Sequence, residues 1–192
     1  MAFLMGIVWR PTQEQVERTN INRFMKRHDI QGHDELLKRS VEDSQWFWSA
    51  ALEDLGIEWY EPPEAVLDLG SGKPWARWFP GGKVNIAYNG LDRRAHGPDR
   101  DRVACIWESD DGHVRKTSYQ DHYVEANRLA NAMVAEGIRE GDAVGIYMPM
   151  VPEVISVMFA CWKVGAIAVP IFSGFAAKAT ATRLVDAEAK LL

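Results

Sequence analysis

Two short glycine-containing segments have the residue types that let a backbone approach a ligand closely. The first is Val66-Leu67-Asp68-Leu69-Gly70-Ser71-Gly72, an apolar run that enters a Gly-x-Gly turn. Backbone amides at such a turn can bind a nucleotide, and Asp92, about twenty residues on, has the spacing of an acidic ribose partner. The second is Phe172-Ser173-Gly174-Phe175, where two small residues stand between two aromatic ones. A nucleotide site at the first segment requires a helix directly after its glycines.

The residues after the first segment do not have a helical pattern. Pro74, Pro80 and the pair Gly81-Gly82 follow it without an apolar stripe. The segment also departs from a phosphate-binding loop, because Leu67 stands where the first glycine belongs and Pro74 where serine or threonine belongs. It does resemble the first motif of S-adenosylmethionine-dependent methyltransferases. We favour a tight turn in a connector and keep the methyltransferase as an alternative hypothesis.

The remaining candidates for chemistry are five histidines and two cysteines. The histidines have no metal-ligand spacing and no adjacent nucleophile, so we assign no catalytic and no metal-binding residue. Cys105 and Cys161 lie in the apolar runs VACIW and MFACW. They are predicted to be small buried side chains in a reducing compartment, the cytoplasm. The histidines are His28, His33, His96, His113 and His122.

Residues 118–175 contain the capping and turn residues that are typical of alternating helices and strands. Ser118 followed by Asp121 predicts a helix start, and Gly137 predicts its end. A strand is predicted at 143–148, a second helix from Pro152 to Gly165, and a second strand at 166–171. Two buried strands joined by a helix predict a parallel sheet. The predicted core face of the second helix consists of Val151, Ile155, Met158, Phe159 and Trp162.

The sequence before residue 110 is richer in tryptophan and charge and predicts short helices at 12–19, 20–28 and 34–55. An Asp111-Gly112 turn predicts a hairpin between residues 102–107 and 114–117. The fold class is therefore α/β. We predict a helical, tryptophan-rich N-terminal layer with a connector over residues 1–83, followed over 84–192 by the first part of a layered α/β domain with a mostly parallel sheet.

Composition and hydropathy patterning argue against a nucleic-acid partner, a signal peptide and a membrane span. The 192 residues carry a formal net charge of −5, which argues against a nucleic-acid partner, since phosphate contacts require a clustered positive surface. The apolar start is too short for a signal peptide. Lys163, Gly165 and Pro170 interrupt the longest apolar stretch, 154–172, so no membrane span is predicted.

Four stretches, in this order, carry a family resemblance: WFPGGKVNIAYNGLDRR at 78–94, TSYQDHYVEANRLANAM at 117–133, GIREGDAVGIYMPMVPEVISVMFACWKVGAIAVPIFSGF at 137–175 and RLVDAEAKLL at 183–192. Together they are similar to the N-terminal part of an acetyl-CoA synthetase-like enzyme. That group belongs to the AMP-forming acyl-CoA synthetases of the adenylating-enzyme superfamily.

The resemblance implies a ligase that works in two steps. A small-molecule carboxylic acid, expected to be short-chain, reacts with ATP and Mg²⁺ to give an acyl-adenylate, and coenzyme A then displaces AMP. The family's phosphate loop and its C-terminal catalytic lysine lie beyond the matched stretches. We therefore expect a fragment of a longer enzyme that does not turn over substrate by itself.

The resemblance also implies one binding contact within this chain. In the family, the bend after the strand equivalent to 168–171 lies beside the pantetheine tunnel. Its residues here are Ser173 and Gly174, with serine in place of the family's first glycine. The resemblance implies that these two residues contact coenzyme A, and the alternative interpretation is a plain strand-to-helix turn. Arg183 faces either solvent or a coenzyme phosphate.

The third functional hypothesis is a non-catalytic interaction module, in which the tryptophan-rich layer would self-associate.

Overall fold

The computed structural model describes residues 9–192, which form two compact units. Residues 9–57 and 62–82 belong to the first unit, and residues 58–61 and 83–192 belong to the second. Helices and strands are mixed along the chain, which confirms the predicted α/β class. The assignment of residues 1–83 to an extension and of 84–192 to the start of a large domain stays a prediction.

The first unit is built from short helices around a small aromatic core. Phe24, Ile30, Leu36 and Ala50 are buried in it, and Trp46 packs against them. One predicted helix, 34–55, is in fact two, because Asp43 leaves the helical conformation and its carboxylate accepts a hydrogen bond of 2.9 Å from the Trp46 amide. The helices are α1 (Gln13–Glu17), α2 (Asn20–Arg27), α3 (His33–Glu42) and α4 (Ser44–Asp54).

The rest of the first unit is an irregular connector. Strands β1 (Leu67–Asp68) and β2 (Arg77–Trp78) pair antiparallel, with a 3-10 turn at Lys73–Trp75 between them. The edge of the Trp48 ring contacts Trp78, with centroids 6.1 Å apart. This contact joins the connector to α4 within the same unit.

The second unit begins with a π-helical turn, Tyr88–Asp92, which continues into α5 (Arg93–Ala95). An antiparallel hairpin follows, formed by β3 (Val103–Glu108) and β4 (Val114–Ser118), as the Asp-Gly turn predicted. Helix α6 (Tyr119–Ala135) starts at Ser118, where the predicted capping box with Asp121 is formed.

The parallel part of the structure is the pair β5 (Ala143–Met148) and β6 (Ile167–Phe172), joined by α7 (Glu153–Lys163). Helix α8 (Ala177–Asp186) follows, and Leu191 then forms a parallel bridge to Val144. The Gly145 amide donates to the Leu191 carbonyl at 2.8 Å, and a Cβ at Gly145 would overlap the Leu184 side chain. A glycine is therefore required for this close approach.

Helix α7 buries a different face from the one predicted. Ser156, Ala160 and Cys161 are its buried residues, whereas the predicted set from Val151 to Trp162 is only half-buried. Small side chains on the buried face allow α7 to pack closely against α6 and the strands. Burial raises the pKa of the Cys161 thiol, and Cys105 is half-buried.

None of the helices within residues 9–192 combines the length and the apolar content that a membrane span requires.

Candidate functional site

The two predicted contact residues, Ser173 and Gly174, form an exposed turn between β6 and α8. The turn is closed by a hydrogen bond of 3.0 Å from the Phe175 amide to the Phe172 carbonyl. It follows the carboxyl end of a parallel strand, the position at which α/β folds most often bind ligands. The structure thus places both small residues together at an accessible point, with a hydrogen-bonded four-residue turn around them.

Aromatic and charged side chains pack around this turn. The Phe172 and Phe175 rings meet edge to face with centroids 5.6 Å apart. The guanidinium carbon of Arg183 lies 4.1 Å from the centroid of the Phe175 ring, and Arg183 Nη1 donates to the Ala179 carbonyl at 2.8 Å. Arg183 therefore stacks on the turn from α8, an arrangement that a cation–π interaction favours.

A further contact with the turn comes from Tyr147, which sequence reasoning did not single out. Its hydroxyl lies 2.9 Å from the Ser173 carbonyl oxygen and 2.7 Å from the Phe175 carbonyl oxygen. The register of the sheet pairs Tyr147 with Ile171, so the ring reaches the turn directly from the neighbouring strand. The strand pattern could have suggested this residue, because a tyrosine at the end of one parallel strand adjoins the loop after the next.

The second arrangement that sequence reasoning missed is a buried polar network around His122. This side chain is 2% exposed, and it contacts Ser156 Oγ through Nδ1 at 2.9 Å and Thr117 Oγ1 through Nε2 at 2.8 Å. Ser156 donates to Glu125 Oε2 at 2.5 Å. Because its single proton is used there, Ser156 accepts from Nδ1–H, and Nε2 accepts from Thr117. The network consists of serine, histidine and a carboxylate, but Ser156 is fully buried, so the network joins α6 to α7 rather than facing a substrate.

Burial lowers the pKa of His122, and the carboxylates of Glu125 and Asp121 oppose this shift only in part. Between the lowered folded pKa and the ordinary unfolded value, the unfolded chain binds more protons than the folded one. We therefore expect the free energy of unfolding to fall as the pH decreases through about 6.5, the unfolded value. Urea unfolding at two pH values on either side of this point measures the slope.

The matched variants for this experiment are His122→Asn and His113→Asn, the second at an exposed histidine. Replacing His122 is expected to remove much of the pH dependence, whereas replacing His113 is expected to keep it. An unchanged slope in His122→Asn would show that other groups cause the dependence.

The first glycine segment has the geometry of a connector turn. The Asp68 carboxylate accepts from the Gly70 amide at 2.8 Å and from Arg77 Nη2 at 2.5 Å, and these two bonds hold its pKa below the usual value. A 3-10 turn follows the glycines instead of a helix, and Asp92 is engaged by Lys163. The local structure therefore agrees with the connector interpretation.

Two family models match this chain in adjoining segments. The model described as the N-terminus of acetyl-coenzyme A synthetase matches residues 33–90, and the model described as AMP-binding enzyme matches residues 91–192, more than half of the chain. The chain belongs to the AMP-binding enzyme family. Membership in the AMP-binding enzyme family confirms the resemblance and gives no support to the methyltransferase or the non-catalytic module.

Several coenzyme A synthetases are similar along nearly the whole chain. The 3-hydroxypropionyl-coenzyme A synthetase of Metallosphaera sedula is 40% identical, with 94% of this chain and 27% of that protein aligned. The acetyl-coenzyme A synthetase of Methanothrix soehngenii is 37% identical, over 89% of this chain and 26% of that protein. The solved acetoacetyl-CoA synthetase from Streptomyces lividans superposes with a TM-score of 0.84 at 25% identity, covering 95% of this chain and 29% of that one. The chain thus spans about a quarter of the length of the curated relatives it matches.

Proposed function

We propose that this chain is the N-terminal part of an AMP-forming acyl-CoA synthetase. The observation that carries the proposal is the order of the two family matches, an acetyl-coenzyme A synthetase N-terminus over 33–90 and an AMP-binding enzyme over 91–192. Relatives named for coenzyme A ligation align along most of the chain, which supports the same activity. A mixed α/β unit with a parallel strand pair agrees with it.

The proposed reaction has two steps. A carboxylate oxygen attacks the α-phosphorus of ATP, a P–O bond forms, and pyrophosphate leaves. The sulfur of coenzyme A then attacks the acyl carbon, AMP leaves, and the thiol proton passes to solvent or a base. Mg²⁺ is expected to balance the charge of the phosphates. Residues 9–192 contain no group of three or more His, Cys, Asp or Glu side chains that could hold a metal ion, and no residue of this part is assigned to Mg²⁺.

We assign the coenzyme A contact to Ser173 and Gly174. Both residues are exposed, and both lack a side chain that would block a narrow pantetheine chain from reaching the backbone. The turn lies at the carboxyl end of β6, which supports a ligand at this position. Arg183 stacks on Phe175, so its guanidinium is held near the turn. There it could form an ion pair with a phosphate group of coenzyme A.

The acid is proposed to be short-chain, because the relatives are named for acetyl, 3-hydroxypropionyl and acetoacetyl groups. A cytoplasmic location is proposed as well. Both cysteines are free, which is the usual state in a reducing compartment.

The experiment measures AMP and pyrophosphate formed by the intact gene product from ATP, with acetate, propionate, 3-hydroxypropionate and acetoacetate supplied in turn. We expect AMP only when an acid and coenzyme A are both present, together with the corresponding thioester. Acid-dependent exchange of labelled pyrophosphate into ATP is expected without coenzyme A. Production of ADP, or no turnover with any acid, contradicts the proposal. The 192-residue chain alone is the negative control.

A further inference from the structure

The Tyr147 hydroxyl contacts two carbonyl groups of one exposed turn. These are the carbonyls of Ser173 and Phe175, at 2.9 Å and 2.7 Å, on either side of Gly174. A phenol has one proton to donate, so the two acceptors share it. The tyrosine stands on β5, 26 residues before Ser173 in the sequence, so the contact ties two adjacent strand ends together.

The bonded Ser173 carbonyl belongs to the central peptide of the turn Phe172–Phe175. In a four-residue turn, rotating this peptide exchanges the positions of its carbonyl and its N–H, which converts a type I turn into a type II turn. Type II requires a positive φ at the third residue, which glycine adopts freely. Gly174 occupies that third position, and its φ is not positive in this structure. The turn therefore has two accessible forms, and this structure holds one of them.

We propose that Tyr147 is a positioning residue, which holds the central peptide of the turn Phe172–Phe175 in the form that accepts coenzyme A. The proposal rests on the proposed function and on its contact at Ser173 and Gly174. With the hydroxyl present, the Ser173 carbonyl is held toward Tyr147, and the Gly174 N–H is directed to the other side of the turn. Without the hydroxyl, the peptide exchanges between two forms, and only one of them directs the backbone groups of the turn toward coenzyme A. The apparent affinity for coenzyme A then falls by the fraction of the correct form.

The test is Tyr147→Phe in the intact gene product. The substitution keeps the ring and removes only the hydroxyl, so folding is preserved. We expect the KM for coenzyme A to rise about fivefold, the factor that the loss of one hydrogen bond gives. Acid-dependent pyrophosphate exchange reports only adenylate formation, which takes place before coenzyme A reacts. We therefore expect the exchange rate of Tyr147→Phe to stay within twofold of the rate of the unaltered enzyme.

Tyr88→Phe is the matched control. The Tyr88 hydroxyl donates to Glu58 Oε2 at 2.8 Å in the same unit and does not contact the turn. It should leave the KM for coenzyme A unchanged. If both variants, or neither, change this KM, or if Tyr147→Phe lowers exchange and thioester formation equally, the positioning role is wrong. Failure of the proposed function is distinct from this outcome, because the unaltered enzyme would then make no AMP.

Amide NMR tests the inference independently of activity. Both forms of the turn keep the hydrogen bond from the Phe175 amide to the Phe172 carbonyl, whereas the Gly174 N–H changes direction between them. We expect the Gly174 amide of Tyr147→Phe to show conformational exchange by relaxation dispersion, and we expect none there in the unaltered protein or in Tyr88→Phe. The same relaxation of the Gly174 amide in all three proteins overturns the inference.

Discussion

Replacement of Lys163 with methionine is expected to lower the free energy of unfolding by about 2 kcal/mol, because it leaves the Asp92 carboxylate unpaired and largely buried. Lys163 and Asp92 form an ion pair whose side chains are 11% and 20% exposed. The ammonium also lies 4.9 Å from the centroid of the Tyr123 ring, an attraction that methionine loses. Residual exposure keeps the expected cost below that of a fully buried pair. Urea unfolding followed by tryptophan fluorescence measures it.

The matched control is Lys83→Met, which breaks the pair between Lys83 and Glu61 in the same unit. Those side chains are 67% and 58% exposed, and solvent screens such pairs, so unfolding should hardly change. The double variant Lys163→Met, Asp92→Leu removes both charges and is expected to recover much of the loss. If Lys163→Met and Lys83→Met have equal effects, burial of the first pair is not what stabilises it.

Replacement of Gly174 with valine is expected to raise the KM for coenzyme A at least about tenfold, provided that the turn contacts the coenzyme as proposed. A Cβ at this position would lie 2.5 Å from Cε1 of Phe172, so the ring must move, and the added methyl groups cover the exposed backbone. The φ of Gly174 is not in the left-handed region, so the backbone accepts a side chain and the protein should fold. Steady-state thioester formation by the intact gene product measures the change.

The control for this variant is Gly32→Val in the first unit. A Cβ at Gly32 has no heavy atom within 4 Å, and its φ of −175° is extended backbone, so the same chemical change meets open space. The KM for coenzyme A should then stay at its original value. An unchanged KM in Gly174→Val would remove the turn from the list of coenzyme contacts, even if the ligase activity itself is found.

Local signals were sufficient for the alternating part of the fold. The predicted strand 143–148 matches β5, and the helix predicted from Pro152 to Gly165 matches α7 closely. Proline at a first turn and glycine after a last turn act within a few residues, so they can be recognised without the fold. The capping box at Ser118 and Asp121 is of the same kind.

Periodicity was misleading where a helix is apolar on most sides. In α7 the large residues suggested a core face, but the buried positions are Ser156, Ala160 and Cys161. When apolar residues lie on most faces of a helix, their spacing no longer indicates which face is buried. The neighbouring elements then determine the buried face, and on α7 the small residues permit the closest approach. The same packing brings Ser156 to His122, a residue that the sequence placed in no site.

By itself the sequence determined the class of the fold, the family resemblance and the position of the Phe172–Phe175 turn, because these depend on residue types and short spacings. Only the tertiary structure decided which side chains meet there. Tyr147 reaches the turn through the strand register, and His122 reaches Ser156 across 34 residues. Lys163 likewise forms an ion pair with Asp92, 71 residues away in the sequence. Such contacts arise when elements far apart in the chain pack together, and no local spacing encodes their distances.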